Sequence, residues 1–164
     1  MINFVNFLKK RETPLNDLES IEISLGVKLP KEMTEIFNNY DVYEKDLDFD
    51  LFITDRYYKV FKTVSVGFIV EHNGENKDFS FFFDLTSIKI MALEDEIFIE
   101  NKLFGFAETA TNHYWAVGYG EDNYGKIFYV DSAIYPEFAF NCFNDFIANI
   151  KPALSKRDLI DVTQ

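Results

Sequence analysis

Two histidines, His72 and His113, and one cysteine, Cys142, are the side chains that could titrate or attack near neutral pH. The histidines lie far apart in the chain, each in or beside a strand or turn pattern, where a lone histidine suits a polar surface position better than a general base. Cys142 stands where a helical pattern begins, and a helix dipole there lowers a thiol pKa. Its neighbours Phe140 and Phe143 instead mark it as a small core residue. The one catalytic arrangement these residue types allow is a hydrolase using His113 with Glu108 or Asp131, which needs a pocket where they converge. No catalytic, cofactor-binding or metal-binding residue is assigned, and an enzyme is not expected.

Carboxylates are the more abundant chemistry. Asp46-x-Asp48-x-Asp50 matches the first three ligand positions of a calcium loop, but the sixth position is Leu51 instead of Gly and the twelfth Tyr57 instead of Glu. Alternation with Leu47, Phe49 and Leu51 instead puts the three carboxylates on one strand face, about 6.6 Å apart at a rise of about 3.3 Å per residue. Such a face either meets a basic partner or keeps a sheet edge from pairing. Glu94, Asp95 and Glu96, with Glu100, form a second acidic cluster, expected in a loop and at a strand end. Glu121 and Asp122 lie in the connection Gly120–Gly125, whose glycines a hairpin explains without a phosphate loop, since no Lys-Ser/Thr follows. The candidate partner-binding set is therefore Asp46, Asp48, Asp50, Glu94, Asp95, Glu96, Glu121 and Asp122, with Tyr57 and Tyr119 as aromatic anchors.

Helices and strands must position these groups. Residues 2–9 carry a short helical pattern. Thr13-Pro14 opens a second, with Leu15, Leu18, Ile21 and Leu25 on one face and Gly26 as a left-handed stop. Pro30 opens a third, with Met33, Ile36, Phe37 and Tyr40 at helical spacing. From residue 47 the period becomes two. Strands are expected near 47–51, in Tyr57–Val70 broken at Gly67, and in Phe79–Leu85, Ile88–Leu93 and Ile97–Ile99. The turn His72-Asn73-Gly74-Glu75 carries the Asn-Gly hairpin signal. Thr111–Tyr119 and Lys126–Val130 pair as a further hairpin. A closing helix starts near Cys142, capped by Asn141, with Phe143, Phe146, Ile147 and Ile150 on one face and Pro152 ending it. The fold class is α+β: one domain over residues 1–152, with N-terminal helices, a bent mixed or antiparallel sheet of about six strands and a C-terminal helix, then a polar tail over 153–164. The rings of Phe79-Ser-Phe81-Phe82-Phe83 cannot all be buried on one side of a sheet, so either both faces are covered or some rings join a binding patch.

Composition narrows the partner. The chain has 164 residues, 28 acidic against 16 basic, for a net charge of −12. Hydrophobic residues make up 48% and aromatics 18%, which describes a folded domain with a large core. The acidic excess argues against nucleic acid and against an anionic membrane surface as direct partners, and favours a basic protein. One cysteine forms no internal disulfide, the basic N-terminal cluster follows the apolar residues instead of preceding them, and no apolar run reaches the ~20 residues of a membrane span, so a cytoplasmic protein is expected.

Several stretches together resemble one family. Ile21-Glu-Ile-Ser-Leu-Gly26-Val-Lys-Leu29-Pro30, running into the helix that ends at Tyr40, is similar to the opening of the SMI1/KNR4 (SUKH) superfamily: a helix, a Leu-Gly-x-x-Leu-Pro turn and a second helix. Leu103–Ala116 resembles its strand, acidic loop and aromatic strand. Lys126–Asp131 resembles its next strand ending in Val-Asp, and Ala139–Ile147 its closing helix. The likeness spans about residues 15–150; it departs at Asn112-His113, where the family often has Gly-Asp, and at Tyr40-Asp41, where it often has Asn-Gly. The resemblance implies an α+β domain without cofactor or catalytic residue. It also implies, for a bacterial immunity-type member, binding to and neutralisation of a cognate toxin, for instance at a basic nuclease cleft. Its alternative implication is a regulatory or scaffold module that binds other proteins without a toxin partner.

Overall fold

The computed structural model describes residues 9–13, 18–41, 49–53, 56–60, 68–79, 81–82, 91–109, 113–131, 135–152 and 159–161. In chain order these form β1 (Lys9–Lys10), α1 (Leu18–Leu25), α2 (Lys31–Asn39), β2 (Tyr40–Asp41), β3 (Phe49–Ile53), β4 (Arg56–Val60), β5 (Phe68–His72), β6 (Glu75–Phe79) and β7 (Phe81–Phe82). A helical turn at 91–94 leads into α3 (Glu96–Glu100), followed by β8 (Leu103–Glu108), β9 (Tyr114–Gly118), β10 (Ile127–Val130), β11 (Glu137–Phe140), α4 (Phe143–Ala148), β12 (Ile150–Pro152) and β13 (Leu159–Asp161). Helices and antiparallel ladders together make a mixed α+β domain, as the sequence pattern predicts.

The strands fall into separate ladders. The largest is an antiparallel sheet in the order β11-β10-β9-β8-β7; two others run β12-β5-β6 and β13-β4-β3, and β1 pairs with β2. In the large sheet the side chains divide by strand period. Phe104, Phe106, Ala107, Trp115, Val117 and Ile127 face a core completed by Leu18 and Ile21 of α1, Met33 and Phe37 of α2, Val70, Phe79, and Phe143 and Phe146 of α4. Leu103, Ala116 and Val130 face the other way and pack on Phe98 of α3. Covering both faces accounts for five consecutive buried residues in β8, where a bulge between Gly105 and Ala107 lets the adjacent Phe106 and Ala107 both face the main core. Trp115, fully buried, has ring centroids of Tyr129 and Phe146 each 5.0 Å away.

Several local expectations hold for stated reasons. α1 ends at Gly26, which takes φ +69. α2 begins immediately after Pro30. The β5–β6 hairpin turns through Asn73 and Gly74 with φ 52 and 76, the left-handed pair a two-residue turn requires. The β9–β10 hairpin also forms where expected.

Others need correction. Residues 91–94 and 96–100, expected as strands and a loop, are helical; Asp95 between them accepts hydrogen bonds from the backbone of Ile97 (3.0 Å) and Phe98 (3.5 Å) and so starts α3. Cys142, not Asn141, occupies the cap of α4, and its side chain makes no capping bond. That helix ends at Ala148; Ile150–Pro152 then pair with β5. Leu159–Asp161, within the stretch expected as a polar tail, pair with β4. The helical pattern at 2–8, Thr111 and the strand residues Ile88–Ile90 lie outside the described residues. No helix among the described residues is long and apolar enough to cross a membrane.

Candidate functional site

The acidic segments 94–100 and 121–122, at least 21 positions apart in sequence, are joined by a hydrogen-bonded turn. After α3 the chain turns at Asn101-Lys102, with Lys102 in the left-handed region at φ 50. The β9–β10 connection then folds against this turn. The backbone N–H of Tyr119 donates to the Lys102 carbonyl at 2.9 Å, and the Asn123 side-chain amide donates to the Asn101 carbonyl at 2.9 Å. Asn123 Oδ1 meanwhile accepts from the Gly120 N–H at 2.8 Å, fixing the connection from inside. Gly118 makes this close approach possible: a Cβ there would lie 2.2 Å from the Asn123 carbonyl oxygen.

The result is a ridge whose solvent side carries Glu94, Asp95, Glu96 and Glu100 from the α3 segment and Glu121 and Asp122 from the turn, all exposed. Two lysines, Lys102 and Lys126, share it, so six acids against two bases leave a local charge of −4. Lys126 Nζ donates to the Asp122 carbonyl at 2.9 Å, which fixes its head within the turn. Leu93 and Ile99 are exposed between the acids. Asp95 has a divided role, since its carboxylate also caps α3.

Tyr119, expected as an aromatic anchor, is half-buried against the main core, and that burial raises its phenol pKa. The exposed aromatic of this turn is Tyr124, whose hydroxyl donates to the Lys28 carbonyl at 2.8 Å and ties the turn to the loop between α1 and α2. Asp50 lies opposite Lys59 in the β3–β4 register and Tyr57 opposite Phe52, in the ladder β13-β4-β3. Asp46 and Asp48 lie outside the described residues.

His113 and Asp131 do come together. His113 Nε2 stands 3.6 Å from Asp131 Oδ2, and its Nδ1 shares a 2.5 Å hydrogen bond with the Tyr129 hydroxyl. The backbone holds the ring in place: the His113 N–H donates to Thr109 Oγ1 at 3.1 Å, and the Thr109 N–H donates back to the His113 carbonyl at 2.9 Å. Tyr129 is itself packed, with Trp115 at 5.0 Å between centroids and Lys77 Nζ 4.2 Å above its ring. Lys77 in turn reaches Glu137 at 3.7 Å and Glu75 at 3.9 Å. This is a cross-linked polar network over the core's aromatic rings. Tyr129 and Lys77 lie on different strands, β10 and β6, and nothing in the spacing of either strand announces their contact.

His72 is buried against Phe140, ring centroids 5.4 Å apart, and its Nδ1 has no hydrogen-bond partner among the described residues. A polar cleft of about 230 Å³ opens between α1 and α2, lined by Leu18, Glu19, Glu22, Lys28, Thr34 and Asn38. Glu22 is committed there: it accepts from Lys28 Nζ at 2.9 Å and from the Leu29 N–H at 2.8 Å, and the pairing raises the Lys28 pKa. Among the described residues, no three His, Cys, Asp or Glu side chains converge as a metal site requires. No protein-family model, curated protein or solved structure matches this chain.

Proposed function

We propose that this protein acts by binding a basic protein partner, as an immunity protein that neutralises a cognate toxin in the cytoplasm. The observation that carries this reading is the joining of the acidic segments 94–100 and 121–122 into one ridge through the Asn123–Asn101 and Tyr119–Lys102 hydrogen bonds. A fixed field of one sign steers an oppositely charged partner and raises association rates toward ~10⁸–10⁹ M⁻¹s⁻¹ at low salt. A toxin cleft shaped for phosphates would present the complementary charge. The resemblance of residues 15–150 to the SMI1/KNR4 superfamily supplies the word immunity; the charge supplies only the sign of the partner.

Binding instead of catalysis is supported by the state of the His113 network. Its tyrosine ring is occupied on its sides by Trp115, His113 and Lys77, and its imidazole is held by Tyr129 and Asp131. On this reading those contacts are packing contacts of the sheet face.

The test is to look for a toxin-like gene beside this one and co-express its product, followed by a growth assay and pull-down. Protection together with a stable complex is expected. Binding without protection would point to a regulatory or scaffold module, and the absence of both would overturn the reading.

A further inference from the structure

The sheet face that carries α3 is only half covered. Along one cross-strand row, Gly105 pairs with Ala116, Ala116 with Phe128, and Phe128 with Phe138. At the near end the row is small and the helix presses down on it: a Cβ on Gly105 would lie 2.9 Å from Phe98 Cε1 and 3.2 Å from Met91 Cε. At the far end the row becomes large where the helical segment no longer covers it. Phe128 is half-buried, and Phe138, meeting it edge-on at 6.1 Å between centroids, is 46% exposed on the outermost strand. Tyr135, just before that strand, is 88% exposed. A half-buried and an exposed ring side by side on a sheet face offer the kind of aromatic surface that interface cores are enriched in.

The shelf is continuous with the acidic ridge. Tyr114, in the neighbouring row of the same face, packs on Phe98 with centroids 5.9 Å apart and belongs to the cluster that Phe128 joins. Burial raises the Tyr114 phenol pKa, and the carboxylates of Glu108 and then Asp95 raise it further. Carboxylates thus border the apolar surface on the α3 side, where the ridge carries its −4 charge.

We propose that Phe128 and Phe138 seat the apolar anchor of the basic partner: a segment whose large apolar or aromatic side chain is flanked by Arg or Lys. The anchor covers the two rings while the flanking cations reach the ridge; an arginine laid on the exposed Phe138 ring adds a cation–π contact. This proposal rests on the basic-partner reading and adds the position and chemistry of its anchor.

The probe is a synthetic peptide with one tryptophan flanked by two arginines on each side, compared with a version carrying glutamate in place of arginine. Each is titrated into ¹⁵N-labelled protein at low salt. The arginine peptide is expected to shift amides of β10, β11 and the α3 segment, and the glutamate peptide to shift none. Phe138→Ser should weaken the arginine peptide about tenfold, while Phe138→Tyr, which keeps a ring at the same exposed edge, should restore it. If reversing Glu94, Glu96, Glu121 and Asp122 to lysine abolishes binding and Phe138→Ser leaves it unchanged, the shelf is wrong and the basic-partner reading stands. If the arginine peptide does not bind, or the glutamate peptide binds equally well, both fall.

Discussion

The side-chain amide of Asn123 donates to the backbone carbonyl of Asn101 at 2.9 Å, across 22 positions of sequence, while its Oδ1 accepts from the Gly120 N–H at 2.8 Å. One side chain therefore both closes the β9–β10 turn and docks it beside α3. With the Tyr119 N–H bond to the Lys102 carbonyl, it brings Glu121 and Asp122 beside the α3 segment.

Asn123→Ala is expected to leave the Gly120 N–H and the Asn101 carbonyl without these partners and to cost about 1–3 kcal/mol, the usual penalty for orphaned polar groups. Urea unfolding reads this directly. Gly118→Ala should cost more, because its Cβ would collide with the Asn123 carbonyl oxygen, a backbone atom that cannot swing aside. Equal stability of the two variants and wild type would show that the turn is not docked as described.

Asp95 is a helix cap before it is a binding residue. Asp95→Ala should destabilise by about 0.5–2 kcal/mol, and Asp95→Asn, which keeps the acceptor oxygen, should recover most of that. Thermal unfolding of the pair separates the cap from the charge: a loss in both variants alike would place the effect in the charge instead.

His72 buries a ring nitrogen with no partner among the described residues, 5.4 Å from Phe140 between centroids. His72→Phe keeps the edge-on ring contact and removes the unsatisfied atom. Stability should hold or rise, by up to about 1–3 kcal/mol if the full desolvation penalty is recovered. A large loss on chemical denaturation would show that Nδ1 is satisfied in solution.

Glu71 pairs with Lys151, linking β5 to β12, and that hydrogen bond holds the Glu71 carboxyl below its ordinary value of 4.5. A depressed carboxylate contributes stability above its unfolded pKa and loses it as pH falls through the lower folded value. Wild type should therefore shed this contribution on acidification below about pH 4.5, whereas Glu71→Gln should lack that part of the decline. Both residues are substantially exposed, so the difference should shrink in high salt. Superimposable pH profiles for the two proteins would contradict the pairing.

What could be read from sequence was set by how local its cause is. Gly26 and the Asn73-Gly74 pair announce left-handed backbone by residue type alone, and the structure places them there. Pro30 ahead of Met33 and Phe37 marks α2 for the same reason. The α3 segment was misread because five helical residues are too few to display a period, and because Ile97, Phe98 and Ile99 favour strands. Its cap, Asp95, was visible only as a charge. β13 escaped because its partner, β4, lies about 100 positions earlier, and nothing in Leu159-Ile160-Asp161 names it. The acidic residues of the ridge were legible as charges; their juxtaposition depends on Asn123, a residue whose type predicts a turn and not what the turn touches. The His113–Asp131 approach was anticipated as one option, whereas Tyr129 completing it required the β9–β10 register.

The most direct test of the central claim is the ionic-strength dependence of association with the co-expressed toxin domain, measured by stopped flow for wild type and for Glu94→Lys/Glu96→Lys/Glu121→Lys/Asp122→Lys. A steep fall of the association rate with salt in the wild type, flattened or reversed in the variant, is the predicted result. Rates insensitive to salt in both proteins would contradict the account.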